Sequence, residues 1–321
     1  MIFEPAFQRA VKTIALDILR AGVDGKLPKT THYQQFLDVG AGTVQKAMVL
    51  LENSGAVSIV SRGHQGRFVT DLDLYRLWSL AELGRVRIIL PPPGPTEIWG
   101  ITEILREEHH RLNIPVEFSY ERGGWNRLSS ILDSVNHLAL VSQGSIQANA
   151  ITSEPRFHLT PLGINSFYAD KSIVVLSRSD EDARKRPAAS IRVGIDKESN
   201  DHTSITLAEF PVDDGYTFIP CDFRMMPRLI LERQVDVGIW HRMPLLVPAP
   251  LIGISLSTLR RPEAIRERRR RSEAFLVSAA DRPEIAALLR RIDPKAIRAR
   301  QLELVAESEN TDNFLKRGWL C

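Results

Sequence analysis

The chain has 321 residues, 43% of them hydrophobic and 25% charged, with a formal net charge of +3. That length suits two or more domains, and the composition is that of a globular protein rather than a disordered or fibrous one. The small net charge excludes a polycation that holds nucleic acid by bulk charge alone.

The charge is uneven. Residues 1–72 carry eight Lys/Arg against six Asp/Glu, and the stretch from Arg260 to Arg271 carries seven Arg against two Glu. Two cysteines, Cys221 and Cys321, are too few for a disulfide framework and fit a reducing compartment. The N-terminus has charges every few residues, unlike a secretory leader, and no run reaches the length of a membrane span. A cytoplasmic protein is expected.

Pro5–Ala21 reads as a first helix. Phe7, Val11, Ile14, Ala15, Ile18 and Leu19 form one apolar stripe at three- and four-residue spacing, and Gly22 and Gly25 end it. Thr30 or Thr31 caps a short second helix to about Leu37, with Tyr33, Phe36 and Leu37 facing inward. Asp38-Val39-Gly40-Ala41-Gly42 is the turn, in which Gly40 and Gly42 supply the unusual backbone angles. Thr43–Asn53 is the third helix, burying Val44, Ala47, Met48 and Leu51. Ala56–Ser61 and Arg67–Thr70 are two short strands around the tip Arg62-Gly63-His64-Gln65-Gly66, a hairpin suited to a phosphate backbone or a minor groove.

Lys26-Leu27-Pro28, Gly42-Thr43-Val44, the run LLENSGAV at 50–57 and RGHQGRFV at 62–69 resemble the GntR-type winged helix-turn-helix. The resemblance implies a reader of double-stranded DNA. It puts Thr43, Gln45 and Lys46 at the DNA-facing start of the recognition helix and Arg62, His64 and Arg67 on the wing. Where relatives carry Ser-Arg this chain has Gly40-Ala41, which removes an expected contact, and Arg67 stands where relatives often have Thr. The Gly40–Gly42 pair follows no strand and has no third Gly, so a dinucleotide site is excluded. A winged helix that serves protein interaction only is the other reading.

Asp71–Leu83 is amphipathic through Leu74, Leu77, Trp78 and Leu80. It is either a helix packed on its own domain or a dimer contact and coupling rod; a homodimer suits two half-sites.

From Arg85 the pattern becomes strand–helix alternation, which implies an open parallel sheet. Val86–Leu90, Val116–Tyr120 and His137–Ser142 are strands, with helices over Thr96–Leu112 and Trp125–Ser134. Phe157–Leu162 and Phe167–Leu176 are extended, and Ser177–Ser190 is a polar surface segment. A second unit follows: strand Ile191–Ile195, a helix opening at Thr203-Ser204, strand Tyr216–Ile219, helix Phe223–Arg233 and strand Val235–Trp240. Leu251–Leu256 is extended, and Ala274–Leu304 supplies one strand and two helices.

Two such lobes resemble the type 2 periplasmic-binding-protein fold, used here as an effector-binding domain. With the N-terminal module the architecture is similar to YhfZ-type transcriptional regulators. The expected organisation is a winged helix-turn-helix over 1–72, a linker helix over 73–84 and a two-lobed α/β domain over 85–321.

In an open α/β sheet a ligand sits outside the C-terminal strand ends. Thr96, Glu121, Ser142, Gln143, Asp201, Thr203, Ser204, Asp222 and Trp240 fall there. Thr203 and Ser204 would offer helix N–H groups to an anion, Glu121, Asp201 or Asp222 would take an ammonium, and Trp240 would form an aromatic wall. An amino acid or a small organic anion fits as the small-molecule effector. Each position also has a plain role as cap, loop surface or core.

No G-x-S-x-G elbow, P-loop or H-E-x-x-H occurs, so no catalytic residue, metal site or cofactor is expected. His109-His110 are adjacent on a helix and cannot share a face, which reads as a solvated surface. Cys221 reads as a half-buried thiol. The arginine run is either a solvated helix or a contact for DNA backbone or an acidic partner. The preferred function is a ligand-responsive transcriptional regulator; the alternative is a small-molecule-binding or metabolic enzyme domain with an interaction-only winged helix.

Overall fold

A computed structural model describes residues 5–180, 183–243, 247 and 249–308. Cys321 and the first four residues, on which part of the leader reading rests, lie outside it. The described chain divides into two compact units. The first gathers the chain up to Arg87 with Leu105–Glu117 and Ser278–Ile292; the second holds Ile88–Ile104, Phe118–Val277 and the chain from Asp293.

The first unit begins with α1 (Ala6–Ala21), α2 (Thr30–Leu37) and α3 (Ala41–Asn53), followed by the hairpin β1 (Val57–Ser61) and β2 (Arg67–Leu72), then α4 (Leu74–Leu80). Val11, Ile14, Ala15, Ile18 and Leu19 of α1 are fully buried, as are Val44, Ala47 and Leu51 of α3. Phe7 and Phe36 depart from the expected stripe: Phe36 is 68% exposed and stacks on His32. Both lie at the margins of their helices, where the periodic face runs past the body that covers it.

The turn between α2 and α3 also differs from expectation. Its left-handed residue is Asp38, at φ 52°, whereas Gly40 has an ordinary φ of −70° and Gly42 is helical. The backbone does not demand glycine at either place. A Cβ at Gly40 or Gly42 would meet nothing within 4 Å, so the two glycines leave bare surface at the start of α3. A bridge from Lys26 to Phe68, with Leu27 N–H donating to Arg67 O at 2.9 Å, adds a third extended segment beside the hairpin.

The helix expected over Asp71–Leu83 shortens to α4, because Asp71 and Leu72 extend β2. Asp73 caps it by accepting from Arg76 N at 3.0 Å. Its buried Leu74, Leu77 and Trp78 are spent inside this unit, and Gln8 Nε2 on α1 donates to Leu80 O at 3.1 Å.

Next come β3 (Val86–Leu90), α5 (Thr96–Arg111), β4 (Val116–Tyr120), α6 (Gly124–Leu132), β5 (Leu138–Ser142), α7 (Gln143–Ala148) and β6 (Phe157–Pro161). A second set follows: β7 (Ile173–Arg178), β8 (Arg192–Ile195), α8 (Asn200–Glu209), β9 (Thr217–Pro220), α9 (Met226–Leu231), β10 (Val237–His241) and β11 (Ile254–Thr258). The described chain closes with α10 (Pro262–Arg270), β12 (Ala274–Ala279), α11 (Pro283–Leu289) and α12 (Pro294–Ser308). His109 near the end of α5 is buried, with Nδ1 3.3 Å from Ile114 O, rather than on a solvated face. α11 packs on α1 within the first unit, where Arg290 Nη2 donates to Leu19 O at 2.9 Å.

Two five-stranded sheets result, in the orders β4-β3-β5-β12-β6 and β11-β7-β10-β8-β9. They form the two lobes of a periplasmic-binding-protein-like fold. They are mixed, not purely parallel as the alternation suggests. β3 and β5 run parallel and β8 lies parallel to both β9 and β10, but β12 is antiparallel to β5 and β7 antiparallel to β10 and β11. The antiparallel strands flank the two crossings between lobes. β6 and β7 belong to different sheets, and the chain returns from β11 to β12 through α10. β7 and β12 each arrive from the other lobe, so neither is tied by a βαβ crossover to the preceding strand of its own sheet, and each is free to enter in the opposite sense.

Candidate functional site

On the first unit, α3 presents Gln45 and Lys46 to solvent, with Thr43 half-buried at its start. Val49, Leu50 and Asn53 continue that face beside Gly42. At the hairpin tip Arg62 and His64 are exposed. The Arg62 guanidinium sits 4.6 Å above the Phe68 ring, which steadies its base while leaving its charge outward. Arg67 turns away from the tip: its Nη2 donates to Thr30 Oγ1 at 3.1 Å at the start of α2. Five of the six positions thus share the solvent side of α3 and the hairpin tip, and Arg67 braces the hairpin against α2.

Within the second unit a cavity of about 320 Å³ lies between the two lobes. α6 and α8 both end their N-terminal turns at it. Gly123 precedes α6 with φ 78°, a conformation glycine tolerates, and brings no capping side chain. Ser199 caps α8, its Oγ accepting from His202 N at 3.3 Å. The helix expected to open at Thr203 therefore begins three residues earlier. Thr203 N–H is already bonded to Ser199 O at 2.9 Å, so the N-terminal donors belong to the turn before it.

Of the nine predicted ligand positions, Asp201 alone lines the cavity. Its Oδ2 accepts from Tyr168 OH at 2.9 Å and from Ser142 Oγ, tying α8 of one lobe to the end of β5 in the other. Its Oδ1 is sealed over Gly144, 3.5 Å from Arg271 Nε. Burial raises the Asp201 carboxyl above its usual range, against the bonds from Ser142 and Tyr168. Asp222 stands behind the wall, accepting from Arg122 Nη1 at 2.7 Å, and Asp196 takes Arg122 Nη2 at 3.0 Å.

The rest lie elsewhere. Thr96 Oγ1 donates to Glu97 Oε2 at 3.2 Å, and Gln143 N–H donates to Glu273 O at 2.8 Å. Glu121 is exposed, and Thr203 Oγ1 donates to Asp196 O at 2.8 Å. Ser204 is half-buried away from the lining, and Trp240 is 2% exposed in the core of the second sheet with Leu176, Met226 and Ile230.

Most of the residues that line the cavity lie outside the positions expected from the sequence. Trp125, 48% exposed, supplies the aromatic wall expected of Trp240. Arg122 and Arg127 supply the positive charge, one and six residues beyond Glu121. The Gly123-Gly124 pair before a helix was the signal that could have found them, since it marks a helix start left open for an anion. His202 is locked as a neutral imidazole. Nδ1 accepts from Asp196 N at 3.1 Å, so Nε2 carries the proton and donates to Ile239 O at 2.8 Å; burial lowers its pKa accordingly. Glu97 is ionised beneath the cavity. Burial works against this, but His241 Nε2 at 3.3 Å and Ala169 N–H at 2.8 Å hold its pKa down at about 2.

Among the described residues no cluster of His, Cys, Asp or Glu is placed to hold a metal ion. Cys221 is half-buried, and burial pushes its thiol up to about 11, which leaves it unreactive at neutral pH. No described helix is long and apolar enough to cross a membrane. The arginine run is partly spent internally: Arg268 donates to Tyr168 O at 3.0 Å and Ala169 O at 3.1 Å, while Arg266 and Arg270 pair with Glu263 and Glu267 on their own helix.

The profile of the YhfZ C-terminal domain matches residues 73–313, and a helix-turn-helix domain profile matches residues 23–69. The uncharacterized protein YhfZ of Escherichia coli (strain K12) is 24% identical over 201 residues, which cover 62% of this chain and 63% of that protein's length. The crystal structure of YhfZ from Shigella flexneri overlays 73% of this chain and 95% of its own at 21% identity, with a TM-score of 0.51. The alignment with the Corynebacterium glutamicum OxyR C206 mutant covers 97% of both chains at 12% identity with a TM-score of 0.45.

Proposed function

Since this chain belongs to the YhfZ family, carries a helix-turn-helix domain and holds a cavity between two lobes, we propose that it is a cytoplasmic, homodimeric transcriptional regulator controlled by a small molecule. Its parts are a DNA-binding module over 1–72, a connecting segment over 73–84 that contains α4, and an effector-binding domain from 85 onward. In the GntR-like arrangement α3 enters a major groove with Thr43, Gln45 and Lys46 leading, and Arg62 and His64 at the wing tip meet the backbone or minor groove. Arg67 acts indirectly, holding the wing to α2 through Thr30. The effector occupies the cavity, and a difference in its affinity for two lobe arrangements biases DNA binding. No chemistry on the ligand is part of the proposal.

The observation that carries this reading is the outward face of α3: Gln45 and Lys46 lie exposed beside Gly42, whose missing side chain leaves the face open to close approach. Binding of genomic DNA fragments, measured by mobility shift at two salt concentrations, tests it. Saturable binding that weakens steeply with salt is expected; no shift at low salt removes the proposal.

A further inference from the structure

We propose that the cleft ligand is a small organic anion without an ammonium group, its carboxylate or phosphate seated on the first turn of α6 against the guanidinium of Arg127. This rests on the effector-cleft reading above and narrows it. The backbone N–H groups of Gly124, Trp125 and Asn126 open α6 into the cavity, and among the described residues none of them has an acceptor. The preceding Gly123 supplies no cap. Three free donors at the positive end of a nine-residue helix favour an anion.

Arg127 is the independent sign. It is 4% exposed and lines the same cavity. Its Nε donates to Leu140 O and its Nη1 to Glu121 O, both at 2.8 Å, which fixes the group on neutral carbonyls. Among the described residues Nη2 has no partner, and no carboxylate lies within ion-pair distance; Asp201 and Glu121 act on it only through space. Burial lowers its pKa to about 10, so it remains charged at neutral pH. A buried guanidinium without a carboxylate is costly unless an anion completes it.

The acids around the cavity argue against an ammonium. Asp196 and Asp222 are bound to Arg122, Asp201 to Ser142 and Tyr168, and Glu97 to His241 and Ala169. An amino acid would bury its ammonium among carboxylates already engaged: Asp201 Oδ1 accepts no hydrogen bond but is buried against Gly144, 3.5 Å from Arg271 Nε, and Glu198, at the lining, is exposed. A hydroxy acid or an unsubstituted acid bears no such cost.

Titration calorimetry on the full chain tests this with matched probes: malate against aspartate, phenyllactate against phenylalanine, succinate against succinamide, and glycerol 3-phosphate. Acids are expected to bind about tenfold or more tightly than their amino or amide partners, and the phosphate arm separates carboxylate from phosphate ligands. Arg127→Gln is expected to weaken the bound acid by about thirtyfold or more, with Arg127→Lys in between. Should both variants unfold, the matched pairs on the wild-type chain still decide. Amino acids binding as tightly as the acids, or no probe binding at millimolar concentration, overturns the inference. Salt-dependent DNA binding is measured separately, so the regulator reading survives or fails on its own.

Discussion

At the residue scale, a buried carboxylate stays ionised here where donors surround it. Glu97 shows the consequence for pH. Its folded pKa of about 2 lies below the ordinary value of 4.5. Its stabilising contribution is therefore fully present above about pH 4.5 and is lost as pH falls toward about 2. Glu97→Gln should lower the melting temperature at neutral pH and flatten its decline between about pH 5 and about pH 3; an unchanged acid limb would show that Glu97 does not govern it. Asp236 works the same way: burial alone would raise it, but Arg192 donates to it from its backbone at 2.8 Å and from its side chain at 3.1 Å and holds it down. Gly144 is a residue where size decides. A Cβ there would collide with Asp201 Oδ1 and the Arg271 stem. Gly144→Ala should cost about 1–3 kcal/mol, read as a lower denaturation midpoint, by pushing Asp201 off Ser142.

At the scale of elements, helix ends do more here than helix faces. α8 is set by Ser199, and Ser199→Ala should cost about 1 kcal/mol in unfolding free energy, measured by urea denaturation. α6 has no side-chain cap at all, which leaves its donors to the cavity. In the proposed DNA complex α3 and the wing divide two tasks. Gln45→Ala should cost about 1–3 kcal/mol at one base position and relax preference there, whereas Arg62→Ala should weaken all sequences alike and lower the salt slope by about 1. Binding to randomised operators at several salt concentrations separates the two. Equal effects of both changes on every sequence would remove Gln45 as a base reader.

At the scale of the molecule, the first compact unit is not a contiguous stretch of sequence. It draws in Leu105–Glu117 and Ser278–Ile292, and α11 lies against α1 through Arg290 and Leu19. A fragment of residues 1–87 loses those partners and should melt lower than the same unit in the full chain, observed by calorimetry. An equally stable fragment would show that the late segments add nothing. The same scale sets what the proposed effector could do: by whatever factor it changed DNA affinity, DNA would change its affinity by the same factor.

The sequence by itself determined the elements whose signals are local. The stripe Val11, Ile14, Ala15, Ile18, Leu19 made α1, the set Val44, Ala47, Met48, Leu51 made α3, and the basic residues Arg62 and Arg67 with Gly63 and Gly66 marked the hairpin tip. It also carried the two-lobed plan, since apolar runs such as Val86–Leu90 and Val235–Trp240 read as buried strands wherever they pair. Only the tertiary structure decided what depends on neighbours distant in sequence. It reversed strands that cross between lobes, put Trp240 in the core and Trp125 at the cavity, and spent the apolar face of α4 on its own unit. It also chose which charges remain open. Arg122 is closed by Asp196 and Asp222, 74 and 100 residues away, while Arg127 meets only carbonyls. Periodicity reports which face of an element is buried, but an ionic group's partner is fixed by the approach of whole lobes, and no local pattern encodes that.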